Sequence, residues 1–167
     1  MDTAPAAVLG APYDPQVSAQ EHVIVANVGN FHTLAFRLGS EGIEGVFEHH
    51  TGFLTQTKLE SLLTSLASSN LKNEDVFDDQ GHGALIYNQQ PIPLIPGAGN
   101  LVITGPRRGM LIGSKMKPYF AVPFGDMMIT GCFGLLAAVA DLMPALREPI
   151  LDTMTHPGGI GRPPWEA

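Results

Sequence analysis

The chain has 167 residues, of which 44% are apolar and 15% are charged, and its formal net charge is −7. This length allows one domain with a sizeable hydrophobic core and is too short for two comfortable ones. The negative charge argues against a nucleic-acid partner, because nucleic-acid phosphates need a basic protein face. A single cysteine, Cys132, excludes a disulfide framework and a multi-cysteine metal site within one chain.

No secretory signal pattern opens the sequence, and its longest uncharged apolar stretch, 127–140, is too short to span a bilayer. We therefore expect a cytoplasmic protein without a membrane partner.

Residues 1–12 are small and apolar, typical of a helix end or packed linker, and lack a capped start. Together with the low charge content, this predicts a chain cut from something longer, one that pairs with a partner chain or with a second copy of itself.

Three β-type runs occupy residues 22–28, 33–38 and 43–48, and the short gaps between them, 29–30 and 39–42, carry turn residues. Short gaps of this kind favour antiparallel hairpins, so a three-stranded meander is predicted. The first run is almost wholly apolar, as expected for a central strand buried on both faces.

Leucines repeat at helical spacing over residues 59–67, which predicts a helix opened by a capping box of Thr57 and Glu60. A second short helix is expected after Asn73, where acidic residues meet the dipole of the first turn. The proline-rich run that ends at Gly99 is expected to be loop.

The second half of the sequence predicts a strand at 101–104, a helix from Arg107 and a short buried strand at 119–122. An apolar helix follows at 127–143, and residues 144–167 form a Pro/Gly-rich, turn-rich tail that leaves 1–143 as the folded domain.

Two glycines, Gly131 and Gly134, lie inside the apolar helix, where each costs roughly 1 kcal/mol relative to alanine. They therefore indicate close packing against another backbone. The residues expected on the buried face of this helix are Met128, Cys132, Leu135, Leu136 and Val139.

The turn at residues 27–33 joins two of the apolar strands and carries Gly29, Asn30 and His32. Glycine lets a backbone approach a ligand closely, and successive turn N–H groups can bind an anion. The alternative is an ordinary hairpin turn in which Asn and Gly only supply left-handed conformations. A second candidate anion site, or equally a solvated loop, is the local cluster of basic residues Arg107, Arg108, Lys115 and Lys117.

Histidines and carboxylates stand beside glycines in three further segments, 47–52, 78–83 and 124–128. Imidazole with carboxylate is the ligand set of zinc, iron or manganese, and carboxylate also suits magnesium. Successive residues of a strand face opposite sides, so only one of His49 and His50 can point into a given site. Helix capping is the alternative role of the aspartate in the last segment. The candidate metal ligands are His49, His50, His82 and Asp126, with His32 as a candidate catalytic group.

The order of these segments resembles the C-terminal half of the actin-like ATPase superfamily, which includes sugar kinases and Hsp70. Residues 23–38 resemble its strand–turn–strand motif for the β- and γ-phosphates, and residues 102–108 resemble its adenosine motif. The resemblance implies an α/β, ribonuclease H-like half-domain with a mixed sheet, an antiparallel meander and flanking helices. It also implies a cleft for ATP or another nucleotide with Mg²⁺. Asn27 stands where the superfamily has Asp, and Pro106 follows the motif glycine. The ligand contacts implied by the resemblance are Asn27, Gly29, Asn30, Thr33, Gly105, Arg107 and Arg108.

More closely, the chain is similar to a prokaryotic family in five short motifs: Asn27-Val-Gly-Asn-Phe-His-Thr, Phe47-Glu-His-His-Thr-Gly, Gly81-His-Gly, Thr104-Gly-Pro-Arg-Arg and Pro123-Phe-Gly-Asp-Met-Met. That family is labelled as pyruvate formate-lyase activating proteins, and the resemblance covers residues 1 to about 143. A radical-SAM activase needs three cysteines for its cluster, so the chain is not expected to be one. The segment from Gly125 also resembles the one that carries a metal-binding Asp in the carbamoyl-transferring branch of the superfamily, which implies Asp126 as a catalytic metal ligand.

Three functions follow as expectations. The first is a nucleotide- or phosphate-binding half of an actin-like protein, which as an enzyme would be an ATP-dependent phosphotransferase or ATPase acting with a small phosphorylated ligand. The second is a metal-dependent transferase or hydrolase on the same fold. The third is a non-catalytic half that docks the missing N-terminal half or another partner chain.

Overall fold

The computed structural model describes residues 1–155. Its helices are α1 (Thr3–Gly10), α2 (Pro15–Ser18), α3 (Gln56–Ala67), α4 (Asn73–Phe77), α5 (Thr130–Leu142) and α6 (Pro144–Thr155). Its strands are β1 (Val23–Val28), β2 (His32–Gly39), β3 (Gly42–His50), β4 (Gly83–Ile86), β5 (Leu101–Thr104) and β6 (Tyr119–Phe120).

Two compact units make up the chain. Among the described residues, one unit combines 1–19 with 121–155 and holds α1, α2, α5 and α6. The other, residues 20–120, holds the remaining helices and the strands. Within residues 1–155, no helix is both long and apolar enough to cross a bilayer.

The second unit is built on a six-stranded mixed sheet in the order β4-β3-β2-β1-β5-β6. The first three strands form the antiparallel meander that the sequence predicts, and β4 continues it antiparallel to β3. Strand β5 lies parallel to β1, and β6 lies parallel to β5. The fold is therefore mixed α/β, with β1 in the interior of the sheet, and every residue of β1 is buried as its apolar sequence requires.

Helix α3 covers the meander with its leucine face, and Leu59, Leu63 and Leu66 are fully buried in the main hydrophobic core. Full burial of each such side chain stabilises the fold by about 1.5–3 kcal/mol relative to exposure. The helix begins two residues earlier than the predicted capping box, because the side chain of Thr55, rather than Thr57, accepts a hydrogen bond from the Lys58 N–H.

An arginine, Arg37 of β2, is fully buried at the far end of the meander. Its Nε donates to Glu44 Oε2 at 2.9 Å, and its other nitrogens donate to Ser69 Oγ and the Gln90 carbonyl. Burial alone would raise the pKa of Glu44, but hydrogen bonds from Asn88 and Arg37 and the Arg37 charge hold that pKa below its ordinary value. The Glu44 carboxylate is therefore ionised at neutral pH and faces the Arg37 guanidinium.

In the first unit, α1 and α5 pack with their backbones in near contact. A Cβ added to Gly10 would lie 1.9 Å from the Thr130 carbonyl oxygen, and one added to Gly134 would lie 1.8 Å from that of Ala6. The predicted close approach is thus confirmed at Gly134, whereas Gly131 has no atom nearer than 3.8 Å to its added Cβ.

The predicted buried face of α5 is wrong. The buried positions are mostly small residues and one aromatic, Thr130, Phe133, Gly134, Ala137 and Ala140. Leu135 and Leu136 are 45% and 42% exposed, and Cys132 is exposed as well. When a helix is apolar on every side, hydrophobicity alone does not indicate which face is packed. In α5 the packed face is the one with small side chains, because α1 approaches it closely.

Three further expectations differ from the structure. The helix expected from Arg107 is only a 3₁₀ turn, Arg108–Leu111, and strand β4 lies where an irregular segment and loop were expected. Residues 144–155 form helix α6 rather than turns, with Pro144 at its first position, which suits proline, and Pro149 inside it. The predicted Pro/Gly-rich tail beyond residue 155 lies outside the described residues, and the domain boundary at 143 stays a prediction.

Candidate functional site

The polar motifs of the second unit meet at one edge of the sheet, where "edge" means an end of the strands and not an outer strand. Strand pairing sets Asn27 against Thr104 in the parallel pair of β1 and β5, and sets His32 against His50 in the antiparallel pair of β2 and β3. Glu48 pairs with Gly83, the first residue of β4. The carboxyl ends of β1, β3 and β5 therefore share this edge with the amino ends of β2 and β4.

The 27–33 turn is closed by its own hydrogen bonds. The Gly29 N–H donates to the His32 carbonyl at 3.0 Å, and an added Cβ on Gly29 would lie 2.5 Å from that oxygen. Thr33 is fully buried, and its hydroxyl is hydrogen-bonded to the Thr51 hydroxyl at 2.9 Å. Asn30 is exposed at the tip. Glycine here serves the turn itself, and the Thr33 hydroxyl is already occupied.

The turn after β5 leaves polar groups unoccupied. Gly105 has φ +96°, and a Cβ there would lie 2.6 Å from the Val28 carbonyl oxygen and 2.7 Å from Asn27 Oδ1. The Arg107 N–H donates to the Val28 carbonyl at 2.9 Å, which fastens the turn to the end of β1. Arg107 itself is exposed. Among the described residues, the buried Thr104 hydroxyl and the buried Arg108 Nη1 have no hydrogen-bond partner.

Three histidines form a cluster at the same edge, beside the meander. The ring centroids of His32, His50 and His82 are 4.6–4.8 Å apart. One ring nitrogen from each lies within 4.8 Å of the others. The backbone N–H of His82 donates to the Glu48 carbonyl at 2.9 Å, and Glu48 Oε1 lies 3.3 Å from His32 Nδ1. The pKa of His50 is lowered by partial desolvation and by the neighbouring histidines, which outweigh Glu48.

His49 does not join this cluster. As strand alternation predicts, its ring lies on the opposite face from His50, fully buried, with Nε2 3.1 Å from Asp79 Oδ2. Asp79 is also paired with Lys58, and the hydrogen bond from Lys58 lowers the Asp79 pKa, aided by His49. This arrangement fixes the turn before β4 against α3, and a metal-ligand role for His49 stays a prediction.

Asp126 belongs to the first unit and has the capping role. Its Oδ1 accepts a hydrogen bond from the Met128 N–H at 2.8 Å, at the start of the 3₁₀ turn that leads into α5. The sequence therefore selects all three clustered histidines as candidates, together with His49, but it does not show which of them meet, and it gives no role to Glu48 or Thr104. The cross-strand register of β2 and β3, fixed by the turn at 39–42, is the signal that pairs His32 with His50.

Two surface pockets lie at the opposite end of the meander, around His22 and Asn88, with volumes of about 500 and 310 Å³. None of the sequence-predicted site residues lines them. One buried nitrogen without a hydrogen-bond partner, His22 Nδ1, lines both pockets. The other end of the sheet holds two such groups, Thr104 Oγ1 and Arg108 Nη1, together with the clustered imidazoles, and we assign the candidate site there.

A protein-family model described as "Putative pyruvate format-lyase activating enzyme (DUF1786)" matches residues 1–110, well over half of the chain. The chain belongs to the DUF1786 family. The match contains the three clustered histidines and the Gly105 turn, whereas Asp126 lies beyond it, as does part of the 1–143 stretch of the predicted resemblance. No curated protein and no solved structure matches the chain significantly. With one cysteine, this DUF1786 chain does not itself supply the three thiolates that an iron–sulfur activase of the family's label would need.

Proposed function

We propose that this chain is the C-terminal half of an actin-like, ribonuclease H-like fold and binds the phosphate of a nucleotide or another small phosphorylated ligand beside Gly105. The observation that carries the proposal is the pair of unpartnered buried groups, Thr104 Oγ1 and Arg108 Nη1. A guanidinium nitrogen removed from water without an acceptor is costly. A phosphate oxygen would supply that acceptor, and Arg–phosphate hydrogen bonds are among the strong ones.

The strand arrangement supports the same proposal. The strand–turn–strand segment and strand β5, which leads into Gly105, are adjacent, with β1 and β5 parallel, so both segments reach one edge. In open α/β sheets, ligands bind outside the carboxyl ends of the strands. Since Thr33 and Gly29 are engaged inside the fold, we assign the phosphate contacts to Thr104, Arg108 and the exposed Arg107, with Mg²⁺–ATP as the first ligand to try. An ATP-dependent phosphotransferase or ATPase is the reaction class that this site would serve.

One observation supports the alternative function, a non-catalytic half that docks a partner chain. Several apolar side chains at the end of α5 and just after it are exposed, including Leu142 at 82% and Met143 at 50%. A missing half or a second copy of the chain would cover such residues, and this role stays a prediction.

Replacing Arg108 with Met is expected to abolish ligand-induced stabilisation. At a ligand concentration a hundred times the Kd, the wild type should gain about 2.7 kcal/mol, seen as a rise in Tm. Arg108→Met should lose most of this gain, because its aliphatic stem is kept and the guanidinium is removed. Each variant is compared with its own ligand-free Tm, with Mg²⁺–ATP and inorganic phosphate as separate ligands. Lys72→Met, which removes an exposed cation of the same unit, is the control; equal shifts in both variants, or no shift in the wild type, would refute the assignment.

A further inference from the structure

We infer that His32, His50 and His82 bind one divalent transition-metal ion, with Zn²⁺ the best fit to three imidazoles. Zinc binds histidine nitrogen at about 2.0–2.1 Å and commonly uses three protein ligands with a fourth, open position in catalytic sites. Tetrahedral ligands at that length lie roughly 3.3 Å apart. The three ring nitrogens already lie within 4.8 Å of one another, so small side-chain rotations bring them onto one ion without moving the strands.

The backbone positions of the three histidines are fixed in the absence of an ion. His32 and His50 are cross-strand partners in a long antiparallel pair, which fixes the separation of their backbones. His82 lies in the turn that enters β4, and its N–H is tied to the Glu48 carbonyl of the neighbouring strand. Two ligands thus come from the sheet and one from a hydrogen-bonded turn, a combination that needs little ordering when a metal binds.

Glu48 completes the arrangement as a positioning residue. Its Oε1 lies 3.3 Å from His32 Nδ1. A carboxylate beside one ring nitrogen fixes the tautomer and directs the other nitrogen, here Nε2, toward the metal. His49 cannot be a ligand of the same ion, because its ring is buried on the other face of the sheet against Asp79. The metal-dependent alternative predicted from the sequence therefore acquires a ligand set without His49 or Asp126.

The chemistry of such a centre follows from its open side. The His32 side chain is 43% exposed, and His82 is exposed as well, so solvent or a substrate oxygen can reach the fourth position. A zinc ion there would polarise that oxygen as a Lewis acid. The three histidines are centred on β3, which lies three strand spacings from β5, about 14 Å, so the metal and the proposed phosphate site would lie at the same end of the sheet. Only this last link rests on the proposed function; metal binding itself does not.

The test uses the full chain, without a histidine tag and after removal of bound metal by a chelator. Zn²⁺ is titrated by calorimetry, and Co²⁺ is followed by its visible absorption, which reports tetrahedral nitrogen ligation. One equivalent of either ion should bind. His50→Ala and His82→Ala should abolish stoichiometric binding, and the exposed position of His82 keeps the test valid if His50→Ala fails to fold. Glu48→Gln should weaken binding about 10- to 100-fold.

The matched control is His22→Ala, which removes a histidine at the opposite end of the meander. It should bind one equivalent of Zn²⁺ as tightly as the wild type. Binding that survives in His50→Ala and His82→Ala, or no stoichiometric binding by the wild type, would overturn the inference. The phosphate titration is run without transition metal, and the Zn²⁺ titration is run without phosphate. Loss of metal binding and loss of phosphate binding are therefore detected independently.

Discussion

Gly134→Ala is expected to destabilise the first unit by at least about 2 kcal/mol, whereas Gly131→Ala is expected to be neutral or mildly stabilising. The two glycines are three residues apart in α5 and differ in what a methyl group would meet. At Gly134 the added Cβ would lie 1.8 Å from the Ala6 carbonyl oxygen and 2.8 Å from the Gly10 N. Both obstacles belong to the backbone of α1, so relief requires that helix to move.

At Gly131 the nearest atom to the added Cβ is 3.8 Å away, an ordinary contact. Alanine there gains up to about 1 kcal/mol of helix propensity with no clash. At Gly134 the same gain is present but is outweighed by displacement of α1. Urea unfolding followed by far-UV circular dichroism measures both variants. Similar stabilities for Gly134→Ala and Gly131→Ala would show that α1 does not pack against α5 at this distance.

Arg37→Met is expected to cost about 3–5 kcal/mol, because it removes one partner of a buried ion pair and leaves the other charged. The substitution keeps the aliphatic volume but takes the guanidinium from Glu44, Ser69 and the Gln90 carbonyl. Glu44 is then left with Asn88 and the nearby His22, which do not replace a full positive charge.

The control is Arg147→Met, which also breaks an Arg–carboxylate pair with a contact of 3.0 Å, to Asp141. Both of those side chains are more than half exposed, and exposed pairs contribute about 0–1 kcal/mol. Unfolding free energies from urea denaturation at neutral pH should therefore separate the two variants by at least about 2 kcal/mol. A cost below about 1 kcal/mol for Arg37→Met would mean that the buried pair does not stabilise the meander.

The parts of the fold that the sequence predicts well are those with strong local patterns. The meander has apolar runs separated by short turns, and α3 has leucines at helical spacing, so neither needs knowledge of distant contacts. Strand β4 escaped prediction because it is a short edge strand with Leu85 half exposed. Helix α6 is not predicted because Pro144 opens a stretch interpreted as turn-rich, although proline is well tolerated in the first turn of a helix.

The sequence predicts many residues of the candidate site, although not Thr104 or Glu48, and it does not predict how they are grouped. The turn glycines, His82 and the basic residues after Gly105 were all selected from local sequence. Their grouping depends on the register of β2 with β3 and on the parallel placement of β5 beside β1, which are set by contacts distant in sequence. Likewise, the unpartnered state of Thr104 and Arg108 is a property of burial that no motif encodes.

The most direct test of the phosphate site is a titration of the ¹⁵N-labelled chain with inorganic phosphate and then with Mg²⁺–ATP, followed by two-dimensional amide NMR. The account predicts saturable shifts at the amides of Gly105, Arg107 and Arg108, with smaller ones at the neighbouring end of β1, and none at the 39–42 turn at the opposite end of the meander. Absence of saturable shifts at these amides with either ligand, or shifts confined to the 39–42 turn, would contradict a phosphate site beside Gly105.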